Sequence, residues 1–549
     1  MVGYGSYQTF ESSLYATTGL SKNLALDLSL IYGRQSDGIG RDLTTGAEAY
    51  LGSNYGLRTS FLWSGGSTEL RGFITKSRIH NDYGTAYEVF PGTLGRDGLT
   101  VFPGYYNTYS AAPIDARNLA KGTIAGLTFS HDFGSFKITN ILGYAKNSWT
   151  QEKNTTGLVG AGCAGCAVLV ADIAQSESSI TNELQIANSG GKSSLEWIAG
   201  FFYLSDDFDR FLRLANFVPG GTLSYGLPQL GHQDVSSYAV YGQATYAILS
   251  DTRLTAGLRY TRDHKVYSGR NLPSADTTVR KTWPKVTWRL ALDHDIGEDK
   301  LIYASYNRGF KSGTFNVTLP PIGVNATPIR PEVLDAYEAG IKSELFSRRL
   351  RLNVAGFYYN YKDLHYRAAI GGGVTILRNA ATARVKGLEA ELQANPTSGL
   401  LLTGALSVQK GTYESFPNAP IAVPRAAGGA DLVFADLSGK EMMRVPRVSF
   451  SVGALYKVGT DYGDFNANIK LFHSSKFNWE ADGFLKQPSY TTVDASVGWT
   501  RPDGVIGVEF WGKNLTDARY YTQAITAGSF FMLPDLPTTF GVRIRAKYD

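Results

Sequence analysis

Hydrophobic and polar residues alternate along this chain in about twenty separate segments, whereas helical periodicity is almost absent. In residues 252–261 the apolar side chains occupy the even positions from 254 to 260, and in residues 539–548 they again occupy the even positions. Because successive side chains of a strand point to opposite faces, each segment has one apolar face and one polar or charged face. A soluble sandwich buries its apolar faces in a core and contains fewer strands. The pattern therefore favours an all-β fold, a transmembrane antiparallel β-barrel with lipid outside and water inside.

The segments are joined by short and long connections in strict alternation. The short connections lie at 18–23, 64–67, 132–135, 188–192, 249–252, 295–300, 346–349, 395–399, 458–464 and 501–504. The long connections lie at about 35–48, 80–117, 150–177, 206–232, 264–282, 309–331, 361–382, 410–445, 474–489 and 516–536. Outer-membrane barrels have short periplasmic turns and long extracellular loops, so the short connections mark the periplasmic end.

The number of strands is informative because it is odd. Ten short turns and ten long loops join 21 strands, whereas bacterial single-chain barrels have even strand numbers that keep the closing pair antiparallel. We therefore expect a barrel of the 22-strand type with 21 complete strands and a truncated first strand, of which Val2–Gly5 would be the extracellular tip. Residues 1–549 would form a single transmembrane barrel domain.

The alternation also assigns side chains to the two faces of the wall. The predicted lipid-facing residues include Leu24, Leu26, Leu28, Leu30, Val286, Leu290, Leu292, Val497 and Phe510. The predicted lumen-facing residues are Arg253, Arg259, Lys285, Arg289, Lys470, Glu509, Arg543 and Arg545. We expect these charges to interact with the contents of the lumen or with one another, and not to act as catalytic groups.

Composition supports a barrel and excludes other classes. Charged residues make up 18% of the chain, below the roughly 25% of soluble domains, and there are 33 tyrosines. The mean hydropathy is −0.16 and no apolar run approaches the ~20 residues of a membrane helix. The net charge of +5 is spread over the chain, so nucleic acid is not an expected partner. The start of the chain, Met1–Tyr4, lacks a signal peptide, which suggests a trimmed or incomplete chain.

The residues that could carry chemistry are few. Cys163 and Cys166 are the two cysteines, and a small loop disulfide is the favoured interpretation over a metal site or two free thiols. The seven histidines are scattered without the spacing of a local metal site, so we expect no metal and no cofactor. No grouping of nucleophile, base and carboxylate can be proposed, and we expect that the protein is not an enzyme. A passive, porin-like channel remains the alternative function, because it shares the strands and the wet lumen.

Ligand binding is expected from the loops, where aromatic and cationic side chains occur together. Loop 80–117 is rich in aromatic residues, loop 474–489 contributes a tryptophan, and two cations flank a phenylalanine near loop 309–331. The candidates are Tyr83, Tyr87, Phe102, Tyr105, Tyr106, Arg308, Phe310, Lys311 and Trp479. Aromatic planes beside cations suit flat anionic chelates through stacking and cation–π attraction. The alternative is that these residues pack loop against loop, with the charges at the rim.

Several segments resemble one known family. They are 303–313, 331–342, 357–364, 379–391, 513–521 and the final segment from Thr539. In their order and spacing they are similar to TonB-dependent outer-membrane receptors, and the resemblance covers nearly the whole chain.

The resemblance implies a function in nutrient uptake. The family implies a monomeric 22-strand barrel in the lipid of the outer membrane of a Gram-negative bacterium. It also implies a ligand such as a ferric siderophore, haem or cobalamin, and an N-terminal plug domain with a TonB box, through which TonB–ExbB–ExbD delivers energy. The sequence shows no counterpart of the plug or the TonB box, so we expect a receptor barrel that lacks the plug needed for energised transport by itself.

Overall fold

A computed structural model of the chain describes residues 1–548 except for several short segments. These segments are 84–87, 96–97, 99, 110–116, 155–167, 190–192, 218–222, 227, 272–276, 317–326, 370–374 and 527–528. Among the residues it describes, there is no helix with the length and apolar character needed to cross a membrane.

The described residues form 32 strands in chain order. The first eleven are β1 (Val2–Gly5), β2 (Thr9–Ser21), β3 (Leu24–Gln35), β4 (Gly40–Arg41), β5 (Glu48–Ala49), β6 (Gly52–Gly65), β7 (Thr68–Asn81), β8 (Glu88–Val89), β9 (Arg117–Asp132), β10 (Phe136–Asn154) and β11 (Val168–Asn188). The next eleven are β12 (Leu195–Phe217), β13 (Leu223–Tyr225), β14 (Gln229–Leu249), β15 (Thr252–Asn271), β16 (Thr277–Asp295), β17 (Lys300–Lys311), β18 (Glu332–Leu345), β19 (Leu350–Ala369), β20 (Thr375–Ala394), β21 (Leu400–Ser415) and β22 (Ala419–Pro424). The last ten are β23 (Ala430–Ala435), β24 (Val448–Thr460), β25 (Gly463–Ser474), β26 (Phe477–Asn478), β27 (Lys486–Gln487), β28 (Tyr490–Thr500), β29 (Ile506–Lys513), β30 (Tyr521–Thr526), β31 (Phe530–Pro534) and β32 (Thr539–Ala546).

Twenty-two of these strands close into one antiparallel barrel, as the sequence predicts. The ring contains every strand except the loop strands β4, β5, β8, β13, β22, β23, β26, β27, β30 and β31. Closure occurs at β1, which pairs with β2 on one side and with β32 on the other. The four residues of β1 pair with Thr9–Ser12 of β2 and with Gly541–Ile544 of β32.

The two faces of the wall agree with the predicted alternation. The predicted lipid-facing residues Leu258 and Phe510 are 60% and 61% exposed on the outside of the ring. In contrast, Thr255 and Thr261 on the inner face are buried. All eight predicted lumen-facing residues lie on the face opposite the exposed apolar side chains, because exposed neighbours such as Leu254, Val286 and Ile544 flank them in sequence.

The connections alternate between short and long as predicted, but four predicted loop boundaries are corrected. Each of the ten predicted short connections is a tight connection between barrel strands. The predicted loops 150–177, 206–232, 264–282 and 361–382 are wrong over most of their length, because they are largely strand. These strands remain paired over more residues than are needed to cross a membrane. Pairing gives their main-chain amide and carbonyl groups hydrogen-bond partners in place of water. The long-loop end of the barrel is therefore tall along β10–β16 and again at β19 and β20, whereas β17 and β18 are shorter.

The closing seam is held by a row of inward-facing charges. Glu509, Arg543, Gly3 and Glu11 are aligned in register across β29, β32, β1 and β2. The Arg543 guanidinium lies 3.2 Å from a Glu11 carboxylate oxygen and 3.4 Å from one of Glu509. A Cβ atom on Gly3 would lie 3.1 Å from Cγ of Arg543, so glycine lets the arginine cross the short strand. One cation thus links the last strands of the chain to the first.

Replacing Arg543 by alanine should destabilise the closed barrel. The change removes two charge-assisted contacts and leaves two carboxylates facing each other across a glycine, so we expect a loss of about 1–3 kcal/mol in the free energy of unfolding. Urea unfolding in detergent micelles, followed by tryptophan fluorescence, measures this loss. Arg545→Ala is the matched control, because Arg545 is on the same strand and face but donates a hydrogen bond of 3.4 Å to the Thr500 hydroxyl and forms no ion pair with any described residue. Equal midpoints for the two variants would contradict a role of the charge row in closure.

Candidate functional site

Three loops at the long-loop end fold together into one small domain-like cap. Strand β8 of the segment between β7 and β9 pairs with β31, which itself forms a hairpin with β30. The Phe90 amide also donates a hydrogen bond of 2.8 Å to the Phe530 carbonyl. The Thr526 hydroxyl and amide donate to the carboxylate of Glu480, at 2.7 and 2.9 Å, and so fasten the segment between β25 and β28 to the same hairpin. Main-chain pairing thus fixes the position of these loops relative to one another.

The cap has an aromatic core that contains three of the predicted ligand-binding residues. Its buried members are Trp479, Leu485, Tyr521, Ala524, Phe530 and Met532. Phe102 and Tyr105 pack against them, and the Tyr105 ring stacks on that of Tyr521 with centroids 5.8 Å apart. The Trp479 side chain is 7% exposed. The structure therefore brings Phe102, Tyr105 and Trp479 together, and their aromatic faces pack loop against loop.

The other predicted tyrosines lie beside this core. The Tyr83 hydroxyl donates to the Gln35 side chain at 3.0 Å, and its ring contacts that of Tyr50. Burial, with Asp517 nearby, raises the pKa of the Tyr106 phenol to about 12. Tyr87, Cys163 and Cys166 lie outside the described residues, so their predicted roles stay predictions.

A carboxyl group is buried where the cap meets the barrel wall. Glu88 has no exposed surface, and it accepts a hydrogen bond of 3.1 Å from the Tyr50 hydroxyl. Burial raises the pKa of Glu88 to about 9, although the hydrogen bond from Tyr50 lowers it. The nearby Asp82 also has a pKa raised by burial, to about 6. The closed cap thus holds Glu88 as a neutral acid at neutral pH.

The remaining predicted ligand residues are divided between the two faces of β17. The Arg308 guanidinium is on the outward face, 4.4 Å from the centroid of the Trp288 ring, and it forms two hydrogen bonds of 2.6 and 2.7 Å with the carboxylate of Asp335. Phe310 shares this outward face by alternation. Lys311 has the opposite parity and faces the lumen, so the structure separates it from Arg308.

A group of cations occupies the lumen near the long-loop end, and sequence reasoning missed it. Lys153 of β10 and Arg210 of β12 have the inward parity of their strands, and Arg367 of β19 lies close enough to both for their charges to interact. Because Lys153 is largely buried and lies near the guanidinium groups of Arg210 and Arg367, its pKa is lowered to about 8. The Arg210 Nε atom is buried and has no hydrogen-bond partner among the residues that the structure describes. We refer to these three residues as the cationic cluster.

The cationic cluster lies above the membrane-spanning part of the wall. The 18 residues from Phe136 to Lys153, at about 3.4 Å each and a tilt of about 40°, rise by about 45 Å. A hydrocarbon core is only about 30 Å thick. The cations therefore lie at the long-loop end of the barrel, in the part of the lumen that we call its mouth.

Aromatic side chains accompany the cations on the inner wall. Tyr267 and Trp283 are buried on the lumen side, and Phe315 packs against both, with ring centroids 6.1 and 5.7 Å away. The ammonium group of Lys265 lies 6.0 Å from the centroid of the Trp283 ring. Arg210 is close enough to Tyr267 for the two groups to influence each other. Cations beside buried rings can hold a large anionic molecule by charge and by contact with its flat surfaces.

The alternation of inward and outward residues along the strands is the sequence feature that could have predicted which cations face the lumen. Thr261, Asp263, Lys265 and Tyr267 continue the inward parity of β15 into the segment predicted to be a loop. The sequence predicts a loop there, because a strand long enough to span a membrane ends before this segment. Lys153 and Arg367 are on distant strands and come close together only because the ring is closed. No local sequence pattern predicts their proximity.

One further group of ligand-type side chains lies on the outward face of β12 and β14. The His232 ring nitrogens lie 2.9 Å from a carboxylate oxygen of Asp209 and 3.2 Å from one of Asp234, and Asp207 is adjacent. This donor set could hold a divalent cation, which the sequence prediction of no metal did not foresee. All four side chains are substantially exposed.

These features define a large membrane-type barrel with a loop cap and a cationic mouth. Residues 56–515 match the family described as TonB dependent receptor-like, beta-barrel, and the chain belongs to this family. Proteins of this family typically reside in the Gram-negative outer membrane.

Relatives and solved structures agree with this assignment. The chain is 22% identical to the pesticin receptor of Yersinia enterocolitica over 386 residues, which are 69% of this chain and 53% of that protein. It is 23% identical to the catecholate siderophore receptor Fiu of Escherichia coli K12 over 350 residues, covering 59% of this chain and 43% of that protein. The ferric yersiniabactin uptake receptor FyuA of Yersinia pestis superimposes with a TM-score of 0.81 at 18% identity, over 100% of this chain and 79% of that chain. The chain thus spans about half the length of the relatives it matches in sequence.

The buried Glu88 predicts that the cap loosens as the pH rises. In the closed cap Glu88 keeps its proton up to about pH 9, whereas a solvated glutamate loses its proton near pH 4.5. Protonation of Glu88 therefore stabilises the closed cap. This stabilisation is complete at low pH and is lost as the pH rises towards 9. The expected change is about 1.4 kcal/mol per pH unit in this window. Hydrogen–deuterium exchange of peptides containing Val89 and Phe531 should therefore accelerate between pH 7 and pH 9, after correction for intrinsic exchange.

Glu88→Gln is the matched variant for this measurement, since the amide keeps the contact with Tyr50 but does not titrate. It should show the same corrected exchange at pH 7 and pH 9. The window above pH 7 avoids the titration of Asp82, whose pKa is about 6. A wild-type cap whose protection is constant from pH 7 to pH 9 would refute the assignment.

Proposed function

We propose that this chain is the barrel of an outer-membrane receptor that takes up an anionic metal chelate of the ferric siderophore class. The observation that carries the proposal is the cationic cluster, in which Lys153, Arg210 and Arg367 converge from different strands on the mouth of the lumen. Like charges that lie close together repel one another and attract an anion. A ligand with several negative charges would therefore be drawn to this group of cations.

The chemistry of the wall suits such a ligand. Ferric complexes of catecholate or carboxylate chelators carry negative charge and present flat aromatic or apolar surfaces. The cationic cluster would bind their oxygens through charge-assisted hydrogen bonds, and the rings of Trp283, Tyr267 and Phe315 beside it would form part of the wall that the ligand contacts. The loop cap would cover the mouth and exclude competing water.

The names of relatives support the same ligand class. Similar proteins are named as receptors for pesticin, for catecholate siderophores and for metal-pseudopaline, and similar structures are titled as uptake receptors for ferric chelates. The described residues of this chain belong to the barrel wall and its loops. We propose that they provide ligand binding and the transmembrane passage, and that energy coupling to TonB–ExbB–ExbD requires a plug domain.

Removing charge from the cationic cluster should weaken binding of an anionic chelate. We expect the double change Arg210→Gln and Arg367→Gln to lower the affinity for a ferric tris-catecholate at least tenfold, since each charge-assisted contact contributes about 1.5–3 kcal/mol. The affinity should also become less sensitive to salt. Binding to the full chain in detergent micelles can be followed by quenching of tryptophan fluorescence at two ionic strengths.

Arg253→Gln provides the control for this experiment. Arg253 faces the lumen at the opposite end of the barrel and is paired with Asp295 at 2.6 Å, so its loss should not alter affinity. A neutral ferric chelate of similar size tests whether charge is the criterion, because it should bind equally to all variants. If the double variant keeps full affinity for the tris-catecholate, the ligand site lies elsewhere.

A further inference from the structure

The outward wall of the barrel contains a recess over β17–β21. Ala304, Ala339 and Gly356 are aligned in register on three consecutive strands, so the wall there has side chains no larger than a methyl group. The same row continues into Leu388 and Val408, which are 59% and 43% exposed and form one side of the recess. Its volume is about 980 Å³.

Aromatic rings border the recess on the side nearer the mouth. Tyr306, Tyr337 and Tyr358 occupy the next outward row, two residues nearer the long-loop end on each strand. The Tyr306 and Tyr337 rings are stacked with centroids 4.6 Å apart, and Tyr358 lies 6.3 Å from Tyr337. The recess is therefore an apolar furrow with a rigid aromatic edge, on the surface that the alternation assigns to lipid.

Two lysines continue this aromatic row. Lys386 and Lys410 are directly opposite each other on β20 and β21, on the outward face and exposed. Within the part of the chain that the structure describes, neither forms an ion pair with a carboxylate. Like charges directly opposite each other on a sheet destabilise it, so an anion between the two ammonium groups would be favourable. The neighbouring Arg447 is instead engaged by Glu441.

The height of the lysines matches the boundary of a lipid leaflet. From Leu400, at the short-turn end of β21, to Lys410 the strand rises by about 25 Å at 3.4 Å per residue and a tilt of about 40°. The apolar band of a membrane barrel is about 25 Å tall. The recess thus lies at the level of acyl chains, and Lys386 and Lys410 lie at the level of head groups on the extracellular side.

We infer that this furrow binds a phosphorylated, acylated lipid of the outer leaflet. The acyl chains lie in the recess over Ala304, Ala339 and Gly356, against Leu388 and Val408. The phosphate is held between the ammonium groups of Lys386 and Lys410 by charge-assisted hydrogen bonds. Both parts are needed, because the apolar recess alone would accept any acyl chain and the lysines alone would attract any anion.

Native mass spectrometry of the full chain in a non-ionic detergent tests this inference. With added bis-phosphorylated lipid A we expect a retained lipid adduct, and with its dephosphorylated counterpart about tenfold less retention. Inorganic phosphate at millimolar concentration should not displace the lipid, because it cannot fill the furrow.

Three variants separate the two parts of the site. The double change Lys386→Gln and Lys410→Gln should lower retention of the phosphorylated lipid about tenfold, and Ala339→Leu should lower it by filling the recess while both lysines remain. Lys76→Gln is the control, because Lys76 is an outward-facing lysine of β7 far from the furrow and its loss should change nothing. Each variant is first shown to be folded by its heat-modifiable mobility in electrophoresis.

The possible results are distinct. Unchanged lipid retention in the folded double-lysine variant, or equal retention of the phosphorylated and dephosphorylated lipids by the wild type, would overturn the inference. Displacement by inorganic phosphate would also overturn it, since the lysines would then be a site for soluble anions.

Discussion

The whole structure depends on the closure of one hydrogen-bonded ring. In a membrane each exposed main-chain amide and carbonyl group costs several kcal/mol, so a sheet can cross it only when it has no free edge. Here the chain returns to its start, and β32 pairs with β1, which pairs with β2. The hydrogen-bond register also fixes which side chains face lipid and which face the lumen, because a shift of one residue would turn every side chain of a strand to the opposite side.

Closure explains why one chain carries two unrelated kinds of surface at similar positions on its wall. On β20 the outward face presents Lys386 above Leu388, whereas the inward face at the same height presents Gly387, against which Phe357 packs from the neighbouring strand. Neither face constrains the residue types of the other, because alternate positions are independent. A ligand site in the lumen and a lipid site on the outside can therefore be built into the same strands.

The sequence predicts those features of the fold that depend on interactions between residues close together in the chain. The period of two, as in Leu254 to Tyr260, and the glycine- and asparagine-rich turns are local, and they are enough to predict a 22-strand antiparallel barrel and its two faces. The role of Val2–Gly5 as a strand was also deduced, because the parity of the strand count demanded it. The heights of the strands were not predicted, since pairing beyond the membrane depends on neighbours that are distant in sequence.

The candidate site shows the same limit more sharply. Loop aromatic residues such as Tyr105 and Trp479 attracted attention because their composition is conspicuous, but the rings are used to fold the loops onto one another. Arg308 was grouped with Lys311 by proximity in sequence, although an interval of three residues places the two side chains on opposite faces of β17. Lys153 and Arg367 are unremarkable in sequence and become neighbours only when the ring closes.

A general physical reason separates the two kinds of residue. Aromatic side chains lose little by being buried, so a loop cap gains stability by packing them together, as around Phe530 and Tyr521. Cations that lie close together repel one another and attract an anion, so the group formed by Lys153, Arg210 and Arg367 is the place where we propose that an anionic ligand binds. In a barrel with a capped mouth, recognition is therefore expected from the cations on the rigid wall, while the aromatic loops determine the shape of the space above them.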